Sequence, residues 1–160
     1  MSIAVTLHVL SVVIWVGGMF FAYMALRPVA ASLLEPPVRL TLWVQVFGRF
    51  FPWVWAAVSL ILVSGFWMVL GPLGGFARAG LYVHLMMGPG IVMMLIFMHV
   101  FFAPYRKLKA AVVAQDWPTG GKQLAMIRKL VGINTLLGIA VIVVGAGGRF
   151  LPAMAASVGA

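Results

Sequence analysis

Three histidines, His8, His84 and His99, stand inside long apolar segments of the sequence. Ionisable side chains are costly within a bilayer and mark functional sites there. Neutral imidazole is the usual protein ligand for haem iron and for many transition metals. His8 and His84 are therefore candidates to hold one metal ion between two helices. The alternative for His8 and His84 is hydrogen bonding between helices, either to each other or to Ser and backbone groups.

The composition excludes several other kinds of chemistry. The chain has no cysteine and only two acidic residues, Glu35 and Asp116, and both of these lie outside the apolar segments. Disulfides, thiolate metal sites and cysteine nucleophiles are therefore excluded. A carboxylate proton relay within the membrane and a Ser-His-Asp arrangement are excluded as well.

The elements that must position the histidines are four apolar segments, at about 3–25, 50–71, 81–104 and 130–148. Each reaches or approaches the ~20 residues that a helix needs to cross a bilayer. Only 8% of the residues are charged, whereas a soluble domain carries roughly 25%. The sequence therefore predicts an all-α integral membrane four-helix bundle, formed by a single domain over residues 1–160, with loops at 26–49 and 105–129. Within the first loop, 38–51 has apolar and basic residues at helical spacing, so this segment either lies in the membrane interface or extends the second helix.

The basic residues predict the orientation of this bundle. Three of the eleven Lys and Arg residues lie in the first predicted loop and six in the second, which leaves only Arg78 and Arg149 at the other end. The positive-inside rule places both loops in the cytoplasm and both termini on the periplasmic side of a bacterial inner membrane. The net charge of +9 is then explained by topology and anionic lipids, and nucleic acid is not an expected partner.

The depth of the histidines predicts a shared cofactor. His8 and His84 each fall about one to two turns below the outer surface, at a rise of ~1.5 Å per residue. Two imidazoles at one depth are typical of bis-His ligation of haem b, and a bare copper ion fits the same pattern. Arginines at this end pair with haem propionates or, alternatively, anchor helix ends at the headgroups. The further residues expected at this site are Gly18, Met68, Arg78 and Arg149.

His99 lies ~22 Å deeper than His84 along the same helix, at ~1.5 Å per residue. Met19 and Asn134 are expected at a comparable depth. A His/Met pair ligates haem or Cu(I), and Asn134 would orient the imidazole. The alternative is a His–Asn hydrogen bond without a metal.

Several short motifs resemble the copper resistance protein D (CopD) family across nearly the whole chain. They are Leu7-His8-Val9-Leu10, Ile14 to Phe21 (IWVGGMFF), Phe47-Gly48-Arg49-Phe50-Phe51, Val83-His84-Leu85-Met86 and Arg128 to Asn134 (RKLVGIN). This resemblance implies a role in copper uptake across the inner membrane, with copper as the ligand.

The chain is also similar, more distantly, to HemJ-type protoporphyrinogen oxidase, a four-helix membrane protein that binds haem b. That similarity rests on Leu7-His8, Trp15, His84 and His99, and it implies a place for Trp15 at the cofactor. The HemJ lysine two residues after the helix-3 histidine is replaced here by Met86. A charge that would contact an anionic porphyrin is thereby lost.

Three functions follow from the sequence. The leading expectation is a haem-b-binding membrane protein with a redox or electron-transfer role, with quinone as a partner and oxidoreductase turnover left open. The first alternative is copper transport or copper resistance through His and Met ligands. The second is a structural subunit of a membrane complex or homo-oligomer.

Overall fold

The computed structural model describes residues 2–148, and this part of the chain is helical with short connections. Six α-helices follow one another along it, with a π-helical segment at Ala22–Leu26 between the first two. A π-helical turn inside a longer helix often occurs at functional sites. The α-helices are α1 Ser2–Phe21, α2 Arg27–Leu33, α3 Pro36–Leu70, α4 Leu81–Phe102, α5 Pro104–Val113 and α6 Trp117–Gly147.

The predicted fold class is confirmed, because four helical segments within residues 2–148 are long and apolar enough to cross a membrane. Their bounds are Ile3–Leu33, Pro36–Leu70, Leu81–Val113 and Trp117–Gly147. These segments contain 31 to 35 residues each, which at 1.5 Å per residue is roughly 46–53 Å. They are longer than the ~30 Å hydrocarbon core, so each extends beyond it.

Most of the two expected loops, 26–49 and 105–129, is helical. The segment 38–51 belongs to α3 and continues the second span, which was one of its two expected forms, whereas the other helices in these loops were not expected. Proline at the first positions of a helix costs no hydrogen bond, so Pro36 and Pro37 begin α3 instead of interrupting it. Asp116 likewise begins α6, because its side chain accepts a hydrogen bond from the Thr119 N–H at 3.1 Å.

The main helix contacts define the arrangement of the bundle. α1 packs chiefly against α3, and α6 packs against both α4 and α5. α3 and α4 are joined through large side chains, since the Phe97 ring of α4 meets both Phe51 and Trp55 of α3 at centroid distances of 5.5 and 5.2 Å. Trp15 of α1 reaches the same Phe97 ring at 6.2 Å.

The tightest packing lies in one half of the bundle, which we call the aromatic half. Phe51 stacks on Phe47 at 5.2 Å and meets the Tyr105 ring edge-to-face at 4.9 Å. Leu108 of α5 and Ile127 of α6 are completely buried beside these rings. Most of the Lys and Arg residues lie at the outer end of this half, away from the histidines. The aromatic half is defined by Trp43, Phe47, Phe51, Phe97, Phe101 and Tyr105.

The opposite part of the bundle, which we call the histidine end, is packed more loosely. It comprises the first turns of α1 and α4, the last turns of α3 and α6, and residues 71–80. The buried residues of α4 begin only at Met93, and those of α6 stop at Gly138. His8 and His84 both belong to this end.

Candidate functional site

His8 forms a hydrogen bond to the end of α3. The imidazole is half-buried, and its Nδ1 lies 3.0 Å from Ser64 Oγ. The Ser64 hydroxyl donates its own proton to the Leu60 carbonyl, so Ser64 Oγ acts as the acceptor for the His8 Nδ1–H. A neutral imidazole that is protonated at Nδ1 has a free lone pair at Nε2, and this lone pair can bind a metal.

A glycine next to Ser64 makes room for this imidazole. A Cβ added to Gly65 would lie 3.4 Å from His8 Cε1, at the short limit of ordinary contact. The serine fixes the tautomer of His8 and the glycine allows the ring to approach α3. Both residues lie in the last turns of α3, at the depth of His8.

His84 is positioned by the connection between α3 and α4. It lies in the first turn of α4, is exposed, and its Nε2 donates to the Phe76 carbonyl at 3.2 Å. A carbonyl only accepts, so this bond fixes the proton on Nε2 and leaves the lone pair on Nδ1. The Phe76 ring meets the Phe66 ring of α3 at 6.2 Å, which holds the connection against the helix.

The two histidines therefore share one end of the bundle but have separate partners. His8 bonds to Ser64 and His84 bonds to Phe76, and these contacts do not join the two imidazoles. No group of three or more His, Cys, Asp or Glu residues that could hold a metal lies within residues 2–148. A site formed by His8 and His84 together stays a prediction.

The other residues expected at a cofactor have different surroundings. Trp15 is buried against Phe97, and the space above Gly18 is filled by the Phe50 ring. Met68 is half-buried in the last turn of α3. The exposed Arg78 lies with its aliphatic stem beside Gly74. Arg149 lies outside the described residues.

The environment of His99 also differs from the expectation. His99 is exposed on α4, whereas Met19 and Asn134 are buried. The Asn134 amide donates to Met19 Sδ at 3.7 Å and to the Met93 carbonyl at 3.3 Å. Asn134 thus joins α6 to α1 and α4, and the predicted contact with His99 is replaced by these two.

The hydrogen bonds of His8 to a serine and of His84 to a backbone carbonyl are the alternative that the sequence left open for these histidines. Sequence reasoning did not identify which serine binds His8, and it did not identify Met93 as the partner of Asn134. Ser64 is six residues before the end of α3 and His8 is six residues after the start of α1. In antiparallel helices these two positions lie at the same depth. A search of the sequence for polar residues at the depth of His8 could therefore have identified Ser64. The Met93 contact uses a backbone carbonyl, for which side-chain types give no signal.

Comparison with known protein families places part of the chain in a described family. Residues 44–147 match the family model described as copper resistance protein D. The matched segment includes Ser64, His84, His99 and Asn134, and it starts after His8 and Met19. No curated protein matches the chain, and no solved structure does.

Proposed function

The chain belongs to the copper resistance protein D family, and from this premise we propose that it transports copper or confers copper resistance as a multi-pass membrane protein. The family match over 104 of the 160 residues, counted from 44 through 147, is the observation that carries the proposal. Copper is the cargo in this proposal, and intramembrane His and Met side chains are its ligands.

The state of His8 supports this proposal. Copper binds the unprotonated nitrogen of a neutral imidazole, and metal-binding histidines commonly have the other nitrogen fixed by a hydrogen bond. The Ser64 contact supplies that bond at Nδ1 and leaves Nε2 for the metal. His84 would be the second ligand or the next site, through the Nδ1 that its bond to Phe76 leaves free.

The loose packing around His84 also supports movement of an ion. Gly88 and Gly90 flank Pro89 in α4, and a Cβ added to either glycine would meet nothing within 4 Å. Proline has no N–H and cannot bond to the Leu85 carbonyl one turn earlier. A helix with open space and an interrupted hydrogen-bond ladder is easier to deform than the tightly packed aromatic half.

For orientation, we propose that the histidine end faces the periplasm and the aromatic half faces the cytoplasm of a bacterial inner membrane. Nine of the eleven Lys and Arg residues lie toward the aromatic half, which is the distribution typical of cytoplasmic segments. Copper arriving from the periplasm would then meet His8 and His84 first.

Copper content of cells tests the proposal. A deletion strain should show altered cellular copper by mass spectrometry, and the wild-type gene should restore it. His8→Ala should fail to restore it, whereas Val13→Ala, on an exposed face of the same helix, should succeed. Unchanged copper content in the deletion strain at every external copper concentration would refute the function.

Haem b, the first expectation from the sequence, is supported neither by the family match nor by the contacts of His8 and His84. The purified protein therefore should show no Soret band. A structural role alone would be indicated if replacement of His8, His84 and His99 together left copper handling intact.

A further inference from the structure

An apolar groove lies between α1 and α3, on the outside of the aromatic half. It has a volume of about 150 Å³ and is lined by apolar residues, among them Gly18, Ala22, Leu26, Val46 and Phe50. Ala22 and Leu26 belong to the π-helical segment, and such segments are frequent at functional sites. We call this space the α1–α3 groove.

The α1–α3 groove is open on the lipid side of the bundle. Phe21, one of its lining residues, is 61% exposed, whereas Phe47 and Phe51 at its floor are buried. A fully apolar cavity of about this volume stays dry and takes up an apolar ligand on the order of six carbon atoms, the size of benzene. An empty groove would lose dispersion contacts, and acyl chains surround this part of the protein. A segment of a lipid acyl chain is therefore the occupant that fits.

Arg49 lies beside the groove at the depth of the lipid headgroups. Residues 50–70 of α3 include no charged side chain, and this stretch is about 31 Å long, close to the ~30 Å of hydrocarbon. Arg49 therefore marks the boundary at which lipid phosphates lie. It is exposed. As the residue three positions after Val46, it lies on the side of α3 that contributes to the groove lining.

Arg49 has no partner in the described protein. No hydrogen bond, ion pair or ring contact engages its guanidinium within residues 2–148. The acidic residue nearest to it in sequence is Glu35, fourteen residues away, which is ~21 Å along a helix. By contrast, Arg27 at the same boundary lies over the Tyr23 ring at 4.9 Å. A guanidinium binds a phosphate through two parallel hydrogen bonds, so an anionic headgroup complements Arg49.

We propose that the α1–α3 groove and Arg49 form a binding site for one anionic phospholipid. One acyl chain would fill the groove, and the phosphate would accept hydrogen bonds from Arg49. The bound lipid would support the contact between α1 and α3 beside the π-helical segment. The proposal does not depend on copper, because the site lies on the outside of the bundle, away from His8 and His84.

Native mass spectrometry of the full-length, detergent-purified protein, titrated with dioleoyl phosphatidylglycerol, tests this site. Wild-type protein should bind one such lipid more tightly than dioleoyl phosphatidylcholine, whose headgroup has no net charge. Arg49→Gln should weaken this binding by about fivefold, the effect expected for one basic residue at a membrane surface. Arg106→Gln should leave it unchanged, because Arg106 is exposed on α5, outside the groove.

A second pair of variants tests the groove itself. Val46→Phe should fill the α1–α3 groove and weaken the binding by about tenfold, the loss expected when two methylene groups are displaced. Val63→Phe, at a 69% exposed position of the same helix, should leave it unchanged.

Equal losses in the two arginine variants would show attraction by net charge alone and would overturn the site. Equal affinity for the two lipids, or wild-type affinity in Val46→Phe, would also overturn it. Copper takes no part in these measurements, so their failure would leave the proposed function standing.

Discussion

The aromatic half and the histidine end use the same four spans in opposite ways. In the aromatic half, Phe97 is 4% exposed and contacts rings from three other positions on α1 and α3. At the histidine end, Phe66 is 46% exposed and its ring contact is with Phe76 of the neighbouring connection. The aromatic half is therefore the rigid part of the bundle, and the histidine end is the loosely packed part.

This difference has a physical reason. Lipid tails are as apolar as leucine, so helices in a bilayer associate through close packing and interhelical hydrogen bonds. The aromatic rings supply close packing in one half. The histidine end has fewer such contacts. There, the His8–Ser64 hydrogen bond joins a side chain of α1 to a side chain of α3. The proposed binding and release of copper at this end would be helped by such a looser arrangement.

The largest expected effect is on Phe97. Phe97→Ala removes the ring that joins α1, α3 and α4, and we expect it to lower the free energy of unfolding by about 3 kcal/mol. Phe66→Ala at the histidine end should cost much less, because that ring is already largely exposed. Thermal unfolding in detergent measures both. Equal losses would show that the two halves are packed alike.

Glycine substitutions provide the next comparison. A Cβ at Gly138 would lie 2.8 Å from Val16 Cγ2, whereas at Gly88 it would meet nothing within 4 Å. Gly138→Ala should therefore destabilise the protein by about 1 kcal/mol or more. Gly88→Ala should stabilise it slightly, since alanine favours helix. The midpoint of thermal unfolding should move in opposite directions for the two variants, and a shared direction would contradict the comparison.

Ser64→Ala should act on copper more than on stability. The variant removes the acceptor that fixes the Nδ1–H tautomer of His8, and loss of such an outer partner typically weakens metal affinity by about tenfold or more. The unfolding midpoint should change little, because hydrogen bonds between membrane helices contribute only about 0.6 kcal/mol on average. Cu(I) titration and thermal unfolding on the same preparation separate these effects. Undiminished affinity would show that Ser64 does not prepare His8.

The smallest effect is expected at Asp116, where α6 begins on the side of the aromatic half. Hydrogen bonds from the Thr119 side chain and backbone hold the pKa of Asp116 below its usual value. A depressed carboxyl pKa gives stability that is present above the unfolded pKa and is lost as pH falls through the folded value. The protection of amides near Thr119, taken as the intrinsic exchange rate divided by the observed rate at each pH, should therefore fall only in acid. Asp116→Asn keeps a cap and should remove this pH dependence; an unaltered profile would contradict the assignment.

The spans and their order could be predicted from the sequence, because four long apolar segments permit few alternatives. Within 26–49 and 105–129, the helical form was expected only for 38–51, from the helical spacing of its apolar and basic residues. The helices that begin near Pro28 and Pro118 were not expected, although proline at the first positions of a helix costs no hydrogen bond. The depth of His8 was derived from its position in α1. Its partner was not, because pairing depends on which helices are neighbours and how each is rotated.

The contacts of Asn134 show the same limit. Its depth was predictable, and Met19 was named beside it, but the choice between His99 and Met93 depends on the rotation of α4. The structure gives the contact to the Met93 carbonyl and leaves His99 exposed. When a helix has apolar side chains on every face, its sequence gives little information on how the helix is rotated about its own axis in lipid.

The proposed copper handling at the histidine end is tested most directly by anaerobic Cu(I) titration and visible spectroscopy of one detergent-purified preparation. Wild-type protein should bind Cu(I) and show no Soret band, and His8→Ala should bind fewer equivalents. A wild-type protein that binds no Cu(I), or one whose Soret band disappears in His8→Ala, would contradict this account.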